Sequence, residues 1–483
     1  MKRAAIDIRL DRELQGFQYE IEMLVRQFLP FSEVGFGVTP GAMRLELSAH
    51  DLAGRLYDGQ GRLIGQEQWP DHSPGAGAKN RAKVVVYRLL AAYLGQKLPW
   101  GILTGVRPSK IPYDFMESGM AQREAAACLM EAYLVQREKA ELAAAVAGKE
   151  RMLLADHDGM DVSLYVGIPF CPSRCAYCSF VSYDFHSYET VLPAYVEALL
   201  REMQETAELL EGRRLQSFYM GGGTPTVLDV GSLDRILEQA DALYSFPALR
   251  EITVEAGRPD TITREKLRVL ADHGVNRISI NPQTMNQKTL DAVGRRHTVE
   301  QAEAALETAR EIGFDNINMD LILGLPGETQ EDVKRTMERI VRLKPDSLTI
   351  HTLAIKRASR LHEEEAAAAD LLAQADRRES MLQESAAAAA ALGMKPYYMS
   401  RQKNMAGNFE NVGYCRPGKE CLYNVEIMEE RQTIFALGAG AVTKVYYPEQ
   451  NRLERVPNVK NVEHYINRIQ EMIQRKWKGV PKL

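Results

Sequence analysis

The chain of 483 residues is longer than one ordinary domain and long enough for a large core plus one or two smaller units. Its 45% hydrophobic and 26% charged residues are typical of a globular protein and exclude a disordered or fibrous one. The formal net charge of only -5 gives no basic field to attract nucleic acid, so we expect no nucleic-acid partner.

The amino terminus and the cysteines indicate the compartment. Residues 1–7 become acidic at Asp7 before any apolar stretch of signal-peptide length begins, and no later stretch is long enough to span a membrane. Six cysteines are too few for a disulfide scaffold in a chain of this length. We therefore expect a cytoplasmic protein without a membrane span, whose thiols are reduced and serve a metal.

The first third of the chain mixes helical and strand patterns. An amphipathic segment at residues 19–29 precedes an alternating run at 43–47, and helical patterns follow at 79–94 and 122–147. These patterns predict an N-terminal α+β domain over residues 1–150, whose role the sequence does not indicate.

Residues 151–393 repeat one pattern, in which short apolar runs alternate with longer helical ones, as βα units require. The runs predict six strands, at residues 162–168, 215–220, 251–255, 275–281, 317–323 and 347–353. Each run leads into a helical stretch, so the fold class is α/β, a partial (β/α)6 TIM-like barrel. In such barrels the chemistry gathers at the carboxyl ends of the strands.

The last part of the chain changes in composition. Apolar spacing predicts a helix at residues 363–391, although the Ala and Glu content resembles low complexity. Residues 394–483 are richer in Tyr, Asn and Gly and predict a C-terminal α+β region that ends in a helix at 462–478.

The strongest motif is the CxxxCxxC run of Cys171, Cys175 and Cys178, placed directly after the first barrel strand. Three thiolates on one loop can ligate three irons of a [4Fe-4S] cluster and leave the fourth iron without a protein ligand. S-adenosylmethionine (SAM) can occupy that position, so we predict these cysteines as metal ligands and as the catalytic centre. The alternative is a structural zinc site, but zinc prefers four protein ligands and only His186 is near.

The motifs resemble those of a known superfamily. Residues 165–171, the complete cysteine run and the segment Gly221-Gly222-Gly223-Thr224-Pro225 are similar to the radical SAM superfamily, and within it to the oxygen-independent coproporphyrinogen III oxidase-like family. The loop at residues 101–110 and the segment 401–409 resemble its HemZ-type coproporphyrinogen dehydrogenase branch. The resemblance covers nearly the whole chain.

The resemblance implies an activity and its cofactors. A [4Fe-4S] cluster and SAM would support oxidative decarboxylation of coproporphyrinogen III to protoporphyrinogen IX, a step of haem biosynthesis. The expected partners are this tetrapyrrole and a low-potential electron donor such as flavodoxin or ferredoxin. Because the substrate carries four carboxylates, a basic pocket near the cluster is expected.

Two groups of residues are candidates for holding SAM. Glycines let backbone groups approach a ligand closely, so Gly222, Gly223 and Thr224 are predicted to hold its methionine part, with an ordinary turn as the alternative. Glu255 ends the third strand, where a carboxylate can accept hydrogen bonds from ribose hydroxyls.

Further candidates rest on the resemblance, with packing or surface exposure as the alternative for most of them. Asp320 lies in an apolar strand and therefore needs a buried partner. Arg295 can pair with the SAM carboxylate. The complete set of these predicted cofactor contacts is Tyr165, Tyr177, Gln283, Arg295, Asp320 and Ala354.

Other features leave alternatives open. Cys415 and Cys421 are a redox pair or buried thiols, and residues 438–441 reach the active site or form a turn. The chain has Gly167 and Phe180 where well-characterised members of the family have a histidine and an additional cysteine. The alternative functions are a haem-binding chaperone of the same family and a radical SAM enzyme that acts on another tetrapyrrole.

Overall fold

The computed structural model describes residues 5–30, 32–51, 53–69, 77–180, 182–353, 375–401 and 409–482. The chain divides into two compact units, the first mainly Met1–Lys149 with Met399–Asn411 and the second mainly Glu150–Asp370 with Val412–Leu483. The division into three regions, at residues 1–150, 151–393 and 394–483, stays a prediction.

The first unit contains a five-stranded sheet with the order β2-β1-β3-β4-β5. Its strands are β1 (Ala5–Leu10), β2 (Glu33–Gly35), β3 (Met43–Ser48), β4 (Ala53–Tyr57) and β5 (Leu63–Gln68). Strand β1 pairs in parallel with β2 and β3, and the other pairs are antiparallel. This is the α+β arrangement expected for the region.

Two helices cover this sheet, and three more follow them in the chain. They are α1 (Gln18–Phe28), α2 (Ala78–Leu94), α3 (Lys110–Glu117), α4 (Gln122–Tyr133) and α5 (Arg137–Leu153). Helices α1 and α2 pack together, and their apolar faces bury residues such as Leu24, Val85 and Leu89 with Leu45 and Leu56 of the sheet.

The helical region expected at residues 122–147 is found as two helices, α4 and α5. The break follows Tyr133, where Leu134 adopts a left-handed conformation with a φ of 56°. The N–H of Ile102 donates to the Tyr133 carbonyl at 2.9 Å, so a distant loop uses the end of α4. No Gly or Pro stands at this break, so residue types alone do not indicate where the helical region divides.

The second unit is built on an eleven-stranded sheet with the order β14-β15-β13-β12-β11-β10-β9-β6-β16-β17-β18. With a separate pair formed by β7 and β8, the strands are β6 (Asp161–Ile168), β7 (Phe170–Cys171), β8 (Tyr183–Asp184), β9 (Arg214–Gly222), β10 (Glu251–Gly257), β11 (Arg277–Ile280), β12 (Ile317–Leu323), β13 (Ser347–Thr352), β14 (Lys395–Arg401), β15 (Glu410–Cys415), β16 (Thr433–Leu437), β17 (Val442–Tyr447) and β18 (Arg452–Pro457).

The six predicted strands are confirmed as the parallel series β6, β9, β10, β11, β12 and β13. Strand β16 adds a parallel neighbour on the other side of β6, and β17 and β18 continue the sheet in antiparallel order. Strand β15 pairs antiparallel with β13. The C-terminal region therefore extends the sheet of the barrel at both ends.

Helices alternate with the parallel strands, as the βα pattern requires. In this unit they are α6 (Phe185–Tyr188), α7 (Leu192–Thr206), α8 (Val230–Tyr244), α9 (Arg264–Asp272), α10 (Gln287–Ala292), α11 (Val299–Ile312), α12 (Gln330–Leu343), α13 (Ala375–Ala391), α14 (Leu422–Glu429), α15 (Val462–Asn467) and α16 (Ile469–Gly479). Thr298 and Thr329 begin α11 and α12 with reciprocal capping boxes. The C-terminal helix expected at 462–478 is divided at Arg468.

The helix expected at residues 363–391 is found as α13 over its described part, and residues 363–374 lie outside the described residues. Among the described residues no helix combines the length and apolarity needed to cross a membrane. The carboxyl ends of the parallel strands meet at one edge of the sheet, and the candidate site lies there.

Candidate functional site

The three cysteines occupy one tight loop at the end of β6. Cys171 ends the short strand β7, and the Cys178 N–H donates to the Cys175 carbonyl at 3.1 Å. The N–H of Ala176 donates to the Val293 carbonyl at 3.0 Å, which fixes the middle of the loop. None of the three thiols is in a disulfide. The loop therefore presents three free sulfur ligands at the edge where barrel chemistry gathers.

The surroundings of these thiols suit a metal cluster. Burial raises the pKa of Cys171 to about 11, with further contributions from the two neighbouring cysteines, and burial also raises the pKa of Cys178. Three thiolates without a metal would therefore be unfavourable here, whereas iron replaces the three protons. Among the described residues no group of three His, Cys, Asp or Glu side chains could hold a single metal ion. A [4Fe-4S] cluster does not require three side chains around one ion, because each cysteine thiolate binds a different iron atom.

Two buried arginines hold the cysteine loop. Arg258 donates to the Ser173 hydroxyl at 2.6 Å and to its carbonyl at 3.2 Å, while a two-pronged ion pair fixes it to Asp260. Arg295 donates to the Tyr177 hydroxyl at 2.9 Å and to the Asn281 carbonyl at 2.7 Å. Both guanidinium groups place positive charge beside the thiolates.

Arg258 is a site residue that the sequence analysis missed. Its position directly after the third barrel strand, in Gly257-Arg258-Pro259, was the available signal. Arg295 was predicted to pair with the SAM carboxylate, and Tyr177 was predicted as a cofactor contact. In the structure these two side chains bond to each other within the loop support, and their contacts with SAM stay predictions.

The glycine segment packs directly against the end of β6. The N–H groups of Gly223 and Thr224 donate to the carbonyls of Ile168 and Phe170, each at 2.8 Å. A Cβ atom at position 223 would lie 2.5 Å from the Phe170 oxygen, so only glycine fits. The Gly222 N–H contacts Glu255 at 3.3 Å. Because these N–H groups are engaged, a ligand at this segment would meet mainly its carbonyl oxygens, which suit an ammonium group.

Glu255 lies at the same edge, on β10. Its Oε1 accepts a hydrogen bond of 2.5 Å from the Tyr219 hydroxyl, and Thr224 brings its own hydroxyl within 3.5 Å of the Cys171 sulfur. Burial, with repulsion from Asp320, raises the pKa of Glu255 to about 7. A buried carboxyl near its pKa can serve either as acceptor or as donor for a hydroxyl-bearing ligand.

Asp320 has the partners that its apolar strand requires. Asn318 donates to its Oδ1 at 2.6 Å, and Nε2 of His351 lies 3.8 Å from its Oδ2. Burial alone would raise the pKa of Asp320, but the His351 interaction and the Asn318 hydrogen bond lower it below the usual value. His351, on β13, was missed because an isolated histidine in a strand carries no motif.

Gln283 carries a strained backbone and an unused oxygen. Its φ is 70°, a conformation that residues other than glycine adopt rarely. Its N–H donates to the Asp320 carbonyl at 2.9 Å, and its own carbonyl accepts from Ile322 at 2.8 Å. Its side-chain Oε1 is buried without a partner among the described residues. Such a constrained, unsatisfied acceptor is typical of a ligand contact.

Tyr165 is the one residue of β6 that is not fully buried. It stacks on Tyr219 and Tyr423 with ring centres 6.3 and 6.0 Å away, and these two rings are 4.4 Å apart. Its hydroxyl lies 2.9 Å from where a Cβ atom at Gly222 would be. The remaining predicted contact, Ala354, lies outside the described residues.

The segment Gly438–Ala441 reaches the same edge from the C-terminal region. Gly438 has a φ of 101°, and its N–H donates to the buried Glu202 carboxylate at 2.9 Å. Glu202 also forms a fully buried ion pair with Lys476 of α16. A Cβ atom at Gly438 would lie 2.5 Å from the Gly167 carbonyl oxygen, so the segment lies beside the end of β6. The segment also forms a turn, in which the Ala441 N–H donates to the Gly438 carbonyl at 3.2 Å.

Cys415 and Cys421 do not join the site. Both are buried in an apolar cluster with Tyr397 and Tyr423, against which Tyr165 and Tyr219 pack. The Cys421 sulfur contacts Glu251 at 3.4 Å, and burial raises the pKa of this thiol well above its usual value. Glu251 begins β10, whereas the cysteine loop follows the opposite end of β6.

A partial barrel of parallel strands with a CxxxCxxC loop after its first strand defines the class of radical SAM proteins. Residues 165–340 match the model of the radical SAM superfamily. The chain belongs to this superfamily and, within it, to the oxygen-independent coproporphyrinogen III oxidase-like family. The cofactors are accordingly a [4Fe-4S] cluster and SAM.

The relatives narrow the position within this family. The chain is 40% identical over 416 residues to the oxygen-independent coproporphyrinogen-III oxidase-like protein HemZ of Bacillus subtilis. The aligned residues cover 84% of this chain and 81% of that relative. It is 32% identical over 280 residues to the heme chaperone HemW of Lactococcus lactis, covering 58% of this chain and 68% of that one.

A solved structure shows the same fold. The coproporphyrinogen III oxidase HemN of Escherichia coli, described as a radical SAM enzyme, matches with a TM-score of 0.52 and 25% identity over 67% of this chain and 72% of that chain. The fold class and the recognition of the family from the sequence are thereby confirmed.

Proposed function

We propose that the protein carries out the oxygen-independent oxidative decarboxylation of coproporphyrinogen III to protoporphyrinogen IX in haem biosynthesis. The observation that carries the proposal is the 40% identity to a protein named for a coproporphyrinogen oxidase-like role. This chain also has the three cysteines, the glycine segment and the carboxylates of Glu255 and Asp320 on neighbouring parts of the barrel sheet. The fold shared with the E. coli oxidase supports the same reaction class.

We assign the cluster to Cys171, Cys175 and Cys178, and SAM to the edge beside them. When bound, the reduced cluster and SAM supply a carbon-centred radical that removes a hydrogen atom from the substrate. The protein's own contribution is to fix the cysteine loop, through the hydrogen bonds of Arg258 to Ser173 and of Arg295 to Tyr177.

The SAM contacts follow from the donors and acceptors that the edge offers. We propose that the carbonyls of the glycine segment accept from the methionine ammonium and that Glu255 accepts from the ribose hydroxyls. Gln283 offers its unsatisfied Oε1 to the same ligand. Asp320, held by Asn318 and His351, supplies a second acceptor. We propose that Tyr165, whose hydroxyl lies beside Gly222, also contacts SAM.

The substrate requires positive charge, since it carries four carboxylates. Arg258 and Arg295 are committed to the cysteine loop, so they are poor candidates. We propose that His351 contacts a substrate carboxylate, because its side chain is 31% exposed at the edge beside Asp320. In its protonated form the imidazole can donate to both carboxylates.

The second candidate function is a haem-binding chaperone. The relative from L. lactis is named for this role. Phe180, two residues after Cys178, is 67% exposed and offers an aromatic surface to a flat apolar ligand. A Cβ atom at Gly167 would lie 3.3 Å from the Tyr165 ring. The Tyr165 ring therefore occupies the space that a larger side chain at position 167 would need.

The remaining assignments concern partners and location. We propose a low-potential donor such as flavodoxin or ferredoxin as the source of the electron. Six free thiols, three of them assigned to iron, favour a reducing compartment, so we place the protein in the cytoplasm.

One anaerobic experiment tests this function. Reconstituted protein is incubated with dithionite, SAM and coproporphyrinogen III, and 5'-deoxyadenosine, CO2 and the vinyl product are measured. The proposal predicts all three products from the wild type and from Cys421→Ala, and none from Cys171→Ala. SAM cleavage without decarboxylation would point to another tetrapyrrole, and tight haem binding without turnover would support the chaperone.

A further inference from the structure

The first unit contains a buried lysine that lacks an acidic partner. Lys83, on α2, is only 5% exposed, and its Nζ donates to the Thr104 hydroxyl at 3.2 Å. The nearby acid Glu20 is paired instead with Lys79, at 3.6 Å. Among the described residues no carboxylate lies within ion-pair distance of Lys83. An ammonium group has three donors, so two of them remain available.

A second buried cation lies in the same unit. Arg401 is 4% exposed, donates to the Leu103 carbonyl at 3.0 Å and stacks over Trp100, with 5.4 Å from the guanidinium to the ring centre. Burial, together with the positive charges of Lys79 and Arg401, lowers the pKa of Lys83 to about 8. The carboxylate of Glu410 counters the charge of Arg401, whereas among the described residues Lys83 has only the neutral Thr104 hydroxyl as its hydrogen-bond partner, and a buried ammonium group is unfavourable unless an anion balances it.

The loop that carries Thr104 has unused donors. The N–H groups of Thr104 and Gly105 donate to no protein acceptor in the described part of the chain. The loop is nevertheless held firmly, since Arg401 N–H donates to the Val106 carbonyl at 2.7 Å and Gln27 donates to the Leu103 carbonyl at 3.3 Å. Its free donors are therefore fixed in place before any ligand arrives.

The loop is also open to solvent at this point. Thr104 is half-buried and Gly105 is exposed. A Cβ atom placed on Gly105 would meet nothing within 4 Å. A small ligand can therefore reach the two backbone N–H groups and the hydroxyl without rearranging the unit.

We propose that Lys83, Thr104 and Gly105 form a binding site for an oxyanion, namely a carboxylate or phosphate group of a small ligand. A cation, a hydroxyl and adjacent backbone N–H groups form the donor set that proteins use for such anions. Arg401 strengthens the attraction through its charge. The site lies within the first unit and does not depend on the radical chemistry, so it gives residues 1–150 a binding role.

Selective acetylation of lysines tests the site directly. The full-length protein is treated with N-hydroxysuccinimide acetate in inorganic phosphate, in acetate, or in chloride of matched ionic strength, and the rates at Lys83 and Lys79 are read by peptide mass spectrometry. At an anion concentration ten times its Kd we expect about tenfold slower acetylation of Lys83, because bound and free forms follow mass action. The rate at the exposed Lys79 should not change.

The responses distinguish the ligand groups. Protection by phosphate alone assigns a phosphate group, protection by acetate alone assigns a carboxylate, and protection by both supports a general oxyanion site. Lys83→Met, which removes the buried charge, should abolish the rise in melting temperature that the effective anion causes, and Lys79→Met should retain it. Unchanged Lys83 acetylation in both anions, or an equal melting shift in Lys83→Met and the wild type, would overturn the proposal.

Discussion

The hydroxyl of Tyr195 donates a 2.6 Å hydrogen bond to the carbonyl oxygen of Gly167. The same hydroxyl oxygen accepts from the N–H of Ala439 at 3.2 Å. A single side chain of α7 therefore joins the end of β6, which leads into the cysteine loop, to the C-terminal segment Gly438–Ala441. The three elements meet in a buried polar contact that leaves little freedom to the edge of the site.

Removing this hydroxyl should loosen the edge without removing a cluster ligand. In Tyr195→Phe, the Gly167 carbonyl and the Ala439 N–H lose their partner, which costs about 2 kcal/mol of unfolding free energy. We expect SAM affinity, measured by equilibrium binding to reconstituted protein, to fall by roughly tenfold. Tyr244→Phe is the control, since its hydroxyl makes only a 3.4 Å contact with Met203. If Tyr195→Phe bound SAM with the same affinity as the wild type, the Tyr195 hydroxyl would not be needed to hold the edge of the site.

The glycine at position 223 should be indispensable for the cluster. In Gly223→Ala the new Cβ atom would meet the Phe170 and Ile168 oxygens at 2.5 and 2.8 Å, so β7 and Cys171 must shift. We expect a destabilisation of about 3 kcal/mol and loss of most bound iron, measured by metal analysis after reconstitution. Gly231→Ala, in α8, should reconstitute normally, because its Cβ atom would come no closer than 3.4 Å to a neighbouring atom, the Asp229 Oδ1. Equal iron contents in the two variants would contradict the packing argument.

The role of Arg258 can be separated from its charge. Arg258→Lys keeps the positive charge but cannot contact Ser173 and both Asp260 oxygens together. We expect it to bind iron but to cleave SAM at least about tenfold more slowly, because the loop loses a charged hydrogen bond. The exposed Arg296, changed to Lys, provides the control. SAM cleavage by Arg258→Lys at the wild-type rate would show that the simultaneous contacts of the Arg258 guanidinium with Ser173 and Asp260 are dispensable.

A buried carboxyl should make the metal-free protein less stable as the pH rises. Burial raises the pKa of Glu426 from 4.5 to about 7, and its Oε1 has no partner among the described residues. The folded protein therefore keeps a proton that the unfolded chain releases. This contribution to stability is fully present below pH 4.5 and is lost as the pH rises through 7.

Glu426→Gln cannot lose that proton. Relative to the wild type, its unfolding free energy should improve between pH 5 and pH 8 by on the order of 3 kcal/mol. Anaerobic urea titrations of metal-free protein at several pH values measure the difference. Glu307→Gln, at an exposed position of α11, should leave the difference constant across this range. If the difference in unfolding free energy between Glu426→Gln and the wild type were also constant from pH 5 to pH 8, the Glu426 carboxyl would be ionised over that whole range, which would contradict the prediction.

The sequence predicted the parallel strands because their signal is local. In Ile317–Leu323, five of the seven residues are buried and five are apolar, so the run stands out in the sequence. Helix ends that depend on distant contacts carried no such signal. The break after Tyr133 is made by hydrogen bonding from Ile102, and no local residue type indicated it.

The same distinction applies to the site. The cysteine loop and the glycine segment were found because each needs special residue types at fixed spacing. Arg258, Tyr195 and His351 were missed, since each acts through a partner far away in the chain. Asp320 was found for a physical reason, because a carboxylate in an apolar strand requires partners, and Asn318 and His351 supply them.

We propose that Cys171, Cys175 and Cys178 hold a [4Fe-4S] cluster whose fourth iron is left for SAM. Electron paramagnetic resonance of the anaerobically reconstituted, dithionite-reduced protein, recorded with and without SAM, can examine this assignment. We expect about four irons per chain and a spectrum that shifts when SAM is added. Both should be lost when the three cysteines are changed to alanine and both kept in Cys415→Ala/Cys421→Ala. A cluster that survives the triple substitution, or a spectrum that SAM does not alter, would contradict it.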